Sequence, residues 1–122
     1  MSQQLIFTES PALELDRVAG DIDPTGRIFI LTDDNTASLV LPRVAEESYV
    51  ARQAEVITIP SGDVNKSLDS LAHIWDCLVE GGATRKSLMV NLGGGMVTDI
   101  GGFAASTFKR GIRFVNMPTT LL

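Results

Sequence analysis

"NLGGGMVTDIGGFAASTFKRG", residues 91–111, is a glycine-rich stretch whose single acidic residue is Asp99. Two apolar runs flank it, SLMVNL at 87–92 and RFVNMP at 113–118. Short apolar runs beside glycine predict strands, and the pattern between the glycines at 93–95 and about Lys109 predicts a helix. A strand, a loop, a helix and a second strand in this order predict a βαβ unit with parallel strands.

Further elements are predicted upstream of this unit. Strands are expected at RIFILT (27–32), which ends in the turn and capping residues DDNT, at AEVITIP (54–60) and around Gln4–Thr8. A helix that ends at Gly81-Gly82 is expected from six apolar residues at helical spacing: Leu68, Leu71, Ala72, Trp75, Leu78 and Val79. This alternation predicts the α/β class, a mostly parallel sheet with helices on both faces.

Composition excludes several classes of function. The 122 residues are 44% hydrophobic, which predicts one globular domain with a core. The net charge is −5 and no basic run is present, so we expect no nucleic-acid partner. Asp99 would lie near the centre of any membrane span and cost about 2.5–3.5 kcal/mol, so we expect no membrane insertion. One cysteine, and an amino terminus without a signal-peptide pattern, indicate a cytoplasmic protein.

The glycines have two possible purposes. Ligands of α/β proteins bind outside the carboxyl ends of the strands, and the loop 93–95 is expected there, with positive φ values that let a pyrophosphate approach. Asp99 would then accept hydrogen bonds from a ribose or an amide. Thr98, Gly101, Gly102 and Ala105 share one helix face that could instead pack tightly on a neighbour. The spacing is not G-x-G-x-x-G, so both interpretations stay open.

No catalytic or metal site is predicted from the other reactive residues. His73 is the single histidine and falls on the polar side of its helix, so we expect it at the surface. Cys77 is expected to be a small apolar residue near a helix end.

The segment LGGGMVTDIGGFAASTFKRGIRFVNMPTTLL, residues 92–122, resembles the cofactor-domain signature of the 3-dehydroquinate synthase family. The shared features are the triple glycine, an acid four residues later, Gly-Phe-Ala, Arg-Gly and Pro-Thr-Thr-Leu-Leu. The resemblance covers about residues 25–122 and implies a Rossmann-like NAD-binding domain that is incomplete at its C-terminal end. Asp63, where the family has Glu, and Thr98, where a smaller residue is common, depart from the pattern.

The resemblance also implies roles for individual residues. Asp33 and Asn35 would face the adenosine ribose, Gly94 and Gly95 the pyrophosphate, and Asp99 the nicotinamide half of NAD. Arg110 would bind a substrate phosphate, in its own or a partner subunit. The remaining implied contacts to NAD are Ser61, Gly62, Asp63, Val64, Asn65, Lys66, Met96, Val97, Thr98, Thr119 and Thr120.

The family's activity requires more than these residues. Its enzyme converts 3-deoxy-arabino-heptulosonate 7-phosphate to 3-dehydroquinate and phosphate in the shikimate pathway, with NAD and a divalent metal, zinc or cobalt. The metal ligands, one Glu and two His, belong to a helical C-terminal domain that residues 1–122 do not include. We therefore expect an inactive amino-terminal part of a homodimeric enzyme. A related sugar-phosphate cyclase and a standalone nucleotide-binding module are the alternatives.

The last residues of the chain suggest a surface that is left uncovered. PTTLL follows a predicted strand, and we expect the parent protein to continue beyond it. Phe114, Met117, Leu121 and Leu122 are then expected to be partly exposed and to favour self-association, together with the small-residue face of the helix.

Overall fold

A computed structural model of the chain describes residues 3–5, 11–20, 26–61, 67–109 and 111–118. The elements are β1 (Gln3–Leu5), α1 (Pro11–Ala19), β2 (Ile28–Asp33), α2 (Asp34–Leu39), α3 (Leu41–Glu47), α4 (Tyr49–Gln53), β3 (Glu55–Ile59), α5 (Ser67–Glu80), β4 (Leu88–Gly93), α6 (Gly95–Thr107) and β5 (Arg113–Pro118). Among these elements, no helix has the length and hydropathy needed to cross a bilayer.

The strands form one parallel sheet in the order β1-β5-β4-β2-β3. The α/β prediction and the four strands expected at 27–32, 54–60, 87–92 and 113–118 are confirmed within one or two residues. The strand expected around Gln4–Thr8 is present as β1, while Thr8 lies outside the described residues. All six residues of β4 are buried, because helices cover both of its faces.

Alternate side chains of the strands supply two separate cores. Phe29 and Leu31 of β2 point to one face, where they pack with α5 and α6. Ile30 points to the other face and packs with α1, α3 and α4. The period of two along each strand therefore divides the apolar residues between two helical layers, as the sequence predicts.

The helix α5 lies where the sequence places it, but its buried face is different. Leu71, Ile74 and Leu78 are buried, whereas Leu68 is 79% exposed and Val79 is 62% exposed. The predicted apolar set was wrong in omitting Ile74, because the contact with the sheet runs along 71, 74 and 78. The helix ends as expected at Gly81-Gly82, where Gly82 has a φ of 78°.

Residues 34–53 contain three short helices that the sequence analysis did not predict. Asp33 caps α2 by accepting a hydrogen bond from the Thr36 amide at 2.7 Å, so DDNT begins a helix as well as ending a strand. Ser48 caps α4 by accepting from the Ala51 amide at 3.0 Å. These helices have five to seven residues, too few for a clear helical period.

The surfaces expected to drive self-association are mostly interior. Phe114 and Met117 are 5% and 2% exposed, so the expectation that they are uncovered is wrong. Gly101 and Ala105 are buried as well, because the small-residue face of α6 packs on the sheet. Leu121 and Leu122 lie outside the described residues.

A buried hydroxyl joins α1 to α4 beneath the second core. The Ser48 side chain is fully buried, and its Oγ donates to Asp16 Oδ1 at 2.7 Å. The same carboxylate oxygen accepts from the Val50 amide at 3.2 Å. Ser48 therefore satisfies the amino terminus of α4 and fixes α1 against it.

Replacing Ser48 with alanine is expected to lower the free energy of unfolding by about 1–2 kcal/mol, because Ala51 loses its cap and Asp16 loses a donor. Urea titration followed by circular dichroism measures the change. The matched control is Ser38→Ala, which removes an exposed hydroxyl that bonds carbonyls of its own helix. It should change stability by less than about 0.5 kcal/mol. Equal effects of the two variants would contradict the role of Ser48.

Candidate cofactor-binding site

The carboxyl ends of β2, β3, β4 and β5 lie at one edge of the sheet, because these strands are parallel. The strand order reverses direction at the β2–β4 pair. From β2 the chain continues to β3 on one side, and from β4 it continues to β5 on the other. Such a switch point opens a crevice between the two departing connections, and ligands of open α/β sheets bind there.

One side of the crevice is formed by residues that follow β2 and β3. Asn35 Nδ2 donates to Ser61 Oγ at 3.2 Å, and the Ser61 amide donates to Asp34 Oδ1 at 3.3 Å. The structure thus brings together two predicted residues, Asn35 and Ser61. It adds Asp34, which sequence reasoning missed although it stands between two predicted residues. The hydrogen bond from the Ser61 side chain lowers the pKa of the exposed Asp34 carboxyl.

The other side of the crevice is the amino terminus of α6. Gly94 is its N-cap, with φ −79° and ψ −170°, and no side chain caps the helix. The amides of Gly95, Met96 and Val97 therefore have neither a partner in the helix nor a capping side chain. No acidic residue lies in the first turn. An uncapped helix terminus carries a partial positive charge and attracts anions.

Positive φ values are not used in the loop from β4 to α6. Among the described glycines only Gly82 and Gly111 have positive φ. The expectation of left-handed backbone at 93–95 is therefore wrong. An extended Gly94 is enough to connect β4 with α6, and any residue can adopt that conformation.

The glycines around α6 fall into two groups. A Cβ at Gly93 would lie 2.8 Å from the Val97 side chain, one at Gly101 would overlap the Asn91 carboxamide, and one at Gly102 would lie 3.3 Å from Phe114. A Cβ at Gly94 or Gly95 would meet nothing within 4 Å. Neither packing nor backbone conformation therefore explains why residues 94 and 95 are glycine. Open space beside amides that have no partner within the helix fits a bound anionic group.

A pair of buried carboxamides lies under α6, and sequence reasoning missed it. Asn91 Nδ2 donates to Asn116 Oδ1 at 3.0 Å, and the two side chains are 0% and 6% exposed. Among the described residues, Asn91 Oδ1 is buried without a hydrogen-bond partner, which costs about 1–3 kcal/mol. The available signal was an asparagine between apolar residues in each of two strands, β4 and β5.

The remaining predicted residues of α6 differ in accessibility. Val97 is 1% exposed, so only its backbone amide can reach a ligand. Met96 is half-buried against the core, and Thr98 Oγ1 donates to the Gly95 carbonyl at 3.1 Å. Asp99 is exposed. The other predicted site residues lie outside the described part of the chain: Gly62, Asp63, Val64, Asn65, Lys66, Arg110, Thr119 and Thr120.

The described His, Cys, Asp and Glu residues do not form any group of three that could hold a metal ion. Cys77 Sγ lies 3.6 Å from His73 Nε2, one turn earlier in α5. Burial, and then the nearby Glu80 and Asp76, raise the pKa of the Cys77 thiol. The thiol is therefore protonated at neutral pH and is a poor nucleophile.

The parallel sheet and the open helix terminus at its switch point define a Rossmann-like α/β domain. Residues 56–122 match the family model described as 3-dehydroquinate synthase N-terminal, so the chain belongs to the 3-dehydroquinate synthase family. A 3-dehydroquinate synthase of Parabacteroides distasonis is 52% identical over 96 residues, which cover 79% of this chain and 27% of that protein. For Pyrococcus abyssi the identity is 41% over 120 residues, with coverages of 98% and 35%. The chain thus spans about a third or less of these relatives.

Two solved structures show the same fold. A 2-epi-5-epi-valiolone synthase from Streptomyces hygroscopicus with NAD⁺ and Zn²⁺ bound has a TM-score of 0.74 and 24% identity, covering 98% of this chain and 33% of that chain. A 2-deoxy-scyllo-inosose synthase complexed with carbaglucose-6-phosphate, NAD⁺ and Co²⁺ has a TM-score of 0.71 and 22% identity, with coverages of 96% and 32%. At these identities the likeness establishes the fold alone.

The two groups of glycines are expected to respond differently to a methyl group. Gly93→Ala should lower the free energy of unfolding by about 1–3 kcal/mol, because the new Cβ meets the buried, β-branched Val97. Gly95→Ala should leave stability unchanged or raise it by up to about 1 kcal/mol, because alanine favours the helix and meets nothing. Thermal and urea unfolding of the pair measure this difference. A comparable loss in both variants would show that the space at Gly95 is not open.

Proposed function

We propose that this chain is the NAD-binding, amino-terminal part of a 3-dehydroquinate synthase. The whole cytoplasmic protein would convert 3-deoxy-arabino-heptulosonate 7-phosphate to 3-dehydroquinate and phosphate in the shikimate pathway. The observation that carries the proposal is the open space at Gly94 and Gly95 beside the uncapped terminus of α6. Family membership supports the proposed identity of the ligand.

In this proposal, the amides of Gly95, Met96 and Val97 donate hydrogen bonds to the diphosphate of NAD. The positive end of the α6 dipole adds to this attraction. Gly94 and Gly95 leave room because they carry no side chain. When bound, NAD supplies a reversible hydride acceptor for a hydroxyl group of the sugar phosphate.

The ribose contacts are proposed for residues at the carboxyl end of β2 and at the start of α2. Asn35 is held by Ser61, and Asp33 uses one carboxylate oxygen to cap α2, which leaves the second oxygen for a ligand. Asp99 would accept hydrogen bonds from the nicotinamide half of NAD. We extend the same proposal to Gly62, Asp63, Val64, Asn65, Lys66, Thr98, Thr119 and Thr120 for the cofactor, and to Arg110 for the substrate phosphate.

Metal chemistry is not assigned to the described residues of this chain, because they form no cluster of three metal ligands. We propose that zinc or cobalt binds in a helical C-terminal domain that follows these 122 residues in the parent protein. We also propose that the parent protein is a homodimer that acts without nucleic acid or membrane partners. The net charge of −5 supports the absence of a nucleic-acid partner.

A related sugar-phosphate cyclase is a weaker candidate. The cyclases above share the fold at 22–24% identity, whereas the 3-dehydroquinate synthases are 41% and 52% identical. The cofactor cradle, which is the open space at Gly94 and Gly95 with the first amides of α6, would be the same in a standalone nucleotide-binding module. The gene sequence after Leu122 separates it from a synthase, because a synthase continues with one Glu and two His in a helical domain.

Gly95→Val in the full-length protein is expected to weaken NAD binding at least about tenfold. The branched side chain would occupy the open space that the diphosphate needs. Isothermal titration calorimetry with NAD measures the affinity. Thr107→Val places the same side chain at the exposed last turn of α6 and should leave the affinity within about twofold. Unchanged binding by Gly95→Val would remove the proposed cradle.

The isolated 122-residue chain is expected to release no phosphate from the heptulosonate 7-phosphate, even with NAD and zinc. In this proposal the metal ligands belong to the C-terminal domain, so the chain alone lacks the electrostatic stabilisation that the reaction requires, a contribution commonly worth several kcal/mol. A colorimetric phosphate assay measures the release, with the full-length protein as the positive control. Release above a protein-free blank would contradict the proposal that the reaction requires the C-terminal, metal-binding domain.

A further inference from the structure

The Asn91–Asn116 pair lies under α6, on the adjacent strands β4 and β5. We infer that this pair is a positioning device, which sets the height of α6 above the sheet and so holds the amides of the cofactor cradle in place. The inference rests on the proposed function, because it concerns the cradle at Gly94 and Gly95. It assigns a role to residues that do not themselves contact the cofactor.

The contact between Asn91 and α6 is the first support. A Cβ at Gly101 would overlap the Asn91 carboxamide, and Nδ2 would be 2.9 Å from it. Gly101 is buried. The backbone of α6 therefore rests directly on this side chain, closer than any other residue at 101 would allow.

The second support is that the carboxamide of Asn91 is fixed. It donates to Asn116 Oδ1 at 3.0 Å, and the two residues are directly paired in the register of β4 and β5. Both side chains are buried, so neither has space in which to change rotamer freely. The pair is thus a rigid contact under the middle of α6.

The geometry of α6 links the contact at Gly101 to the cofactor cradle at Gly94 and Gly95. Gly101 follows Gly95 by six residues in one continuous helix, which is about 9 Å along the axis. The first turn is held separately by Val97, which packs against Gly93. If the helix rises at Gly101, it must pivot about that contact. The amides of Gly95 and Met96 then change direction.

The polarity of the pair also argues for a positional role. Asn91 Oδ1 is buried without a partner in the described part of the chain, an arrangement that lowers stability. Two apolar side chains of similar volume would avoid this loss. Stability therefore does not explain the pair. A flat carboxamide that is locked by one hydrogen bond lets the helix approach more closely than a branched apolar side chain does.

A double-mutant cycle on the full-length protein tests the inference. Gly101→Ala should raise the Kd for NAD at least about tenfold, because the new Cβ strikes Asn91 and lifts α6. In the Asn91→Ala background, the same substitution should change Kd by less than about threefold. The control is Gly102→Ala, whose Cβ meets the Phe114 ring edge at 3.3 Å. Its effect should be below about threefold in both backgrounds.

A second variant separates positioning from stability and does not depend on Gly101→Ala folding. Asn91→Leu combined with Asn116→Leu should keep or raise the melting temperature, because no polar group remains buried and unpaired. It should still raise the Kd for NAD at least about fivefold, because the branched side chain lifts α6. A merely structural role predicts that affinity follows stability.

The outcomes distinguish the two proposals. NAD binding by the unaltered protein and its loss in Gly95→Val test the cradle alone. If those results hold, either of two outcomes overturns the positioning role. One is that Gly101→Ala weakens NAD binding as strongly in the Asn91→Ala background as in the unaltered protein. The other is that the double leucine variant binds NAD with unchanged affinity. If the unaltered protein binds no NAD, both proposals are wrong.

Discussion

The close packing of α6 on β4 is the constraint on which the rest of the site depends. The helix begins only one residue after the strand ends, because Gly94 alone separates Gly93 from Gly95. Such a short connection requires the helix to turn back tightly over the strand. Absent side chains at Gly93 and Gly101 make room for this return. The same geometry leaves the first amides of α6 uncapped at the edge of the sheet.

The helix tolerates its glycines because tertiary contacts stabilise it. Each of Gly101 and Gly102 lowers the helix propensity by about 1 kcal/mol relative to alanine. Ala104 and Ala105 of the same helix are buried in the core, as is Phe108 at its C-cap, and most helical stability in proteins comes from such packing. The candidate site is therefore built on a rigid element and not on a long loop, which favours precise placement of hydrogen-bond donors.

The attraction of this edge for an anion must be local. The chain has a net charge of −5, and the acidic Asp33 and Asp34 lie at the carboxyl end of β2. The Ser61 hydrogen bond lowers the pKa of the Asp34 carboxyl. A diphosphate would be bound by short contacts to the free amides and by the helix dipole, since the overall field of the chain opposes it.

The sequence by itself determined the α/β class, four of the strands and the two longest helices, because buried parallel strands and amphipathic helices leave periodic apolar patterns. It could not determine the buried face of α5, because the contact with the sheet decides that face. It also missed the helices of residues 34–53, since helices of five to seven residues contain less than two helical periods. The sequence also could not show that Gly101 and Gly95 are glycines for different reasons. Only the tertiary structure shows that Asn91 stands opposite the first and open space opposite the second, because the need for glycine depends on neighbours that are distant in sequence.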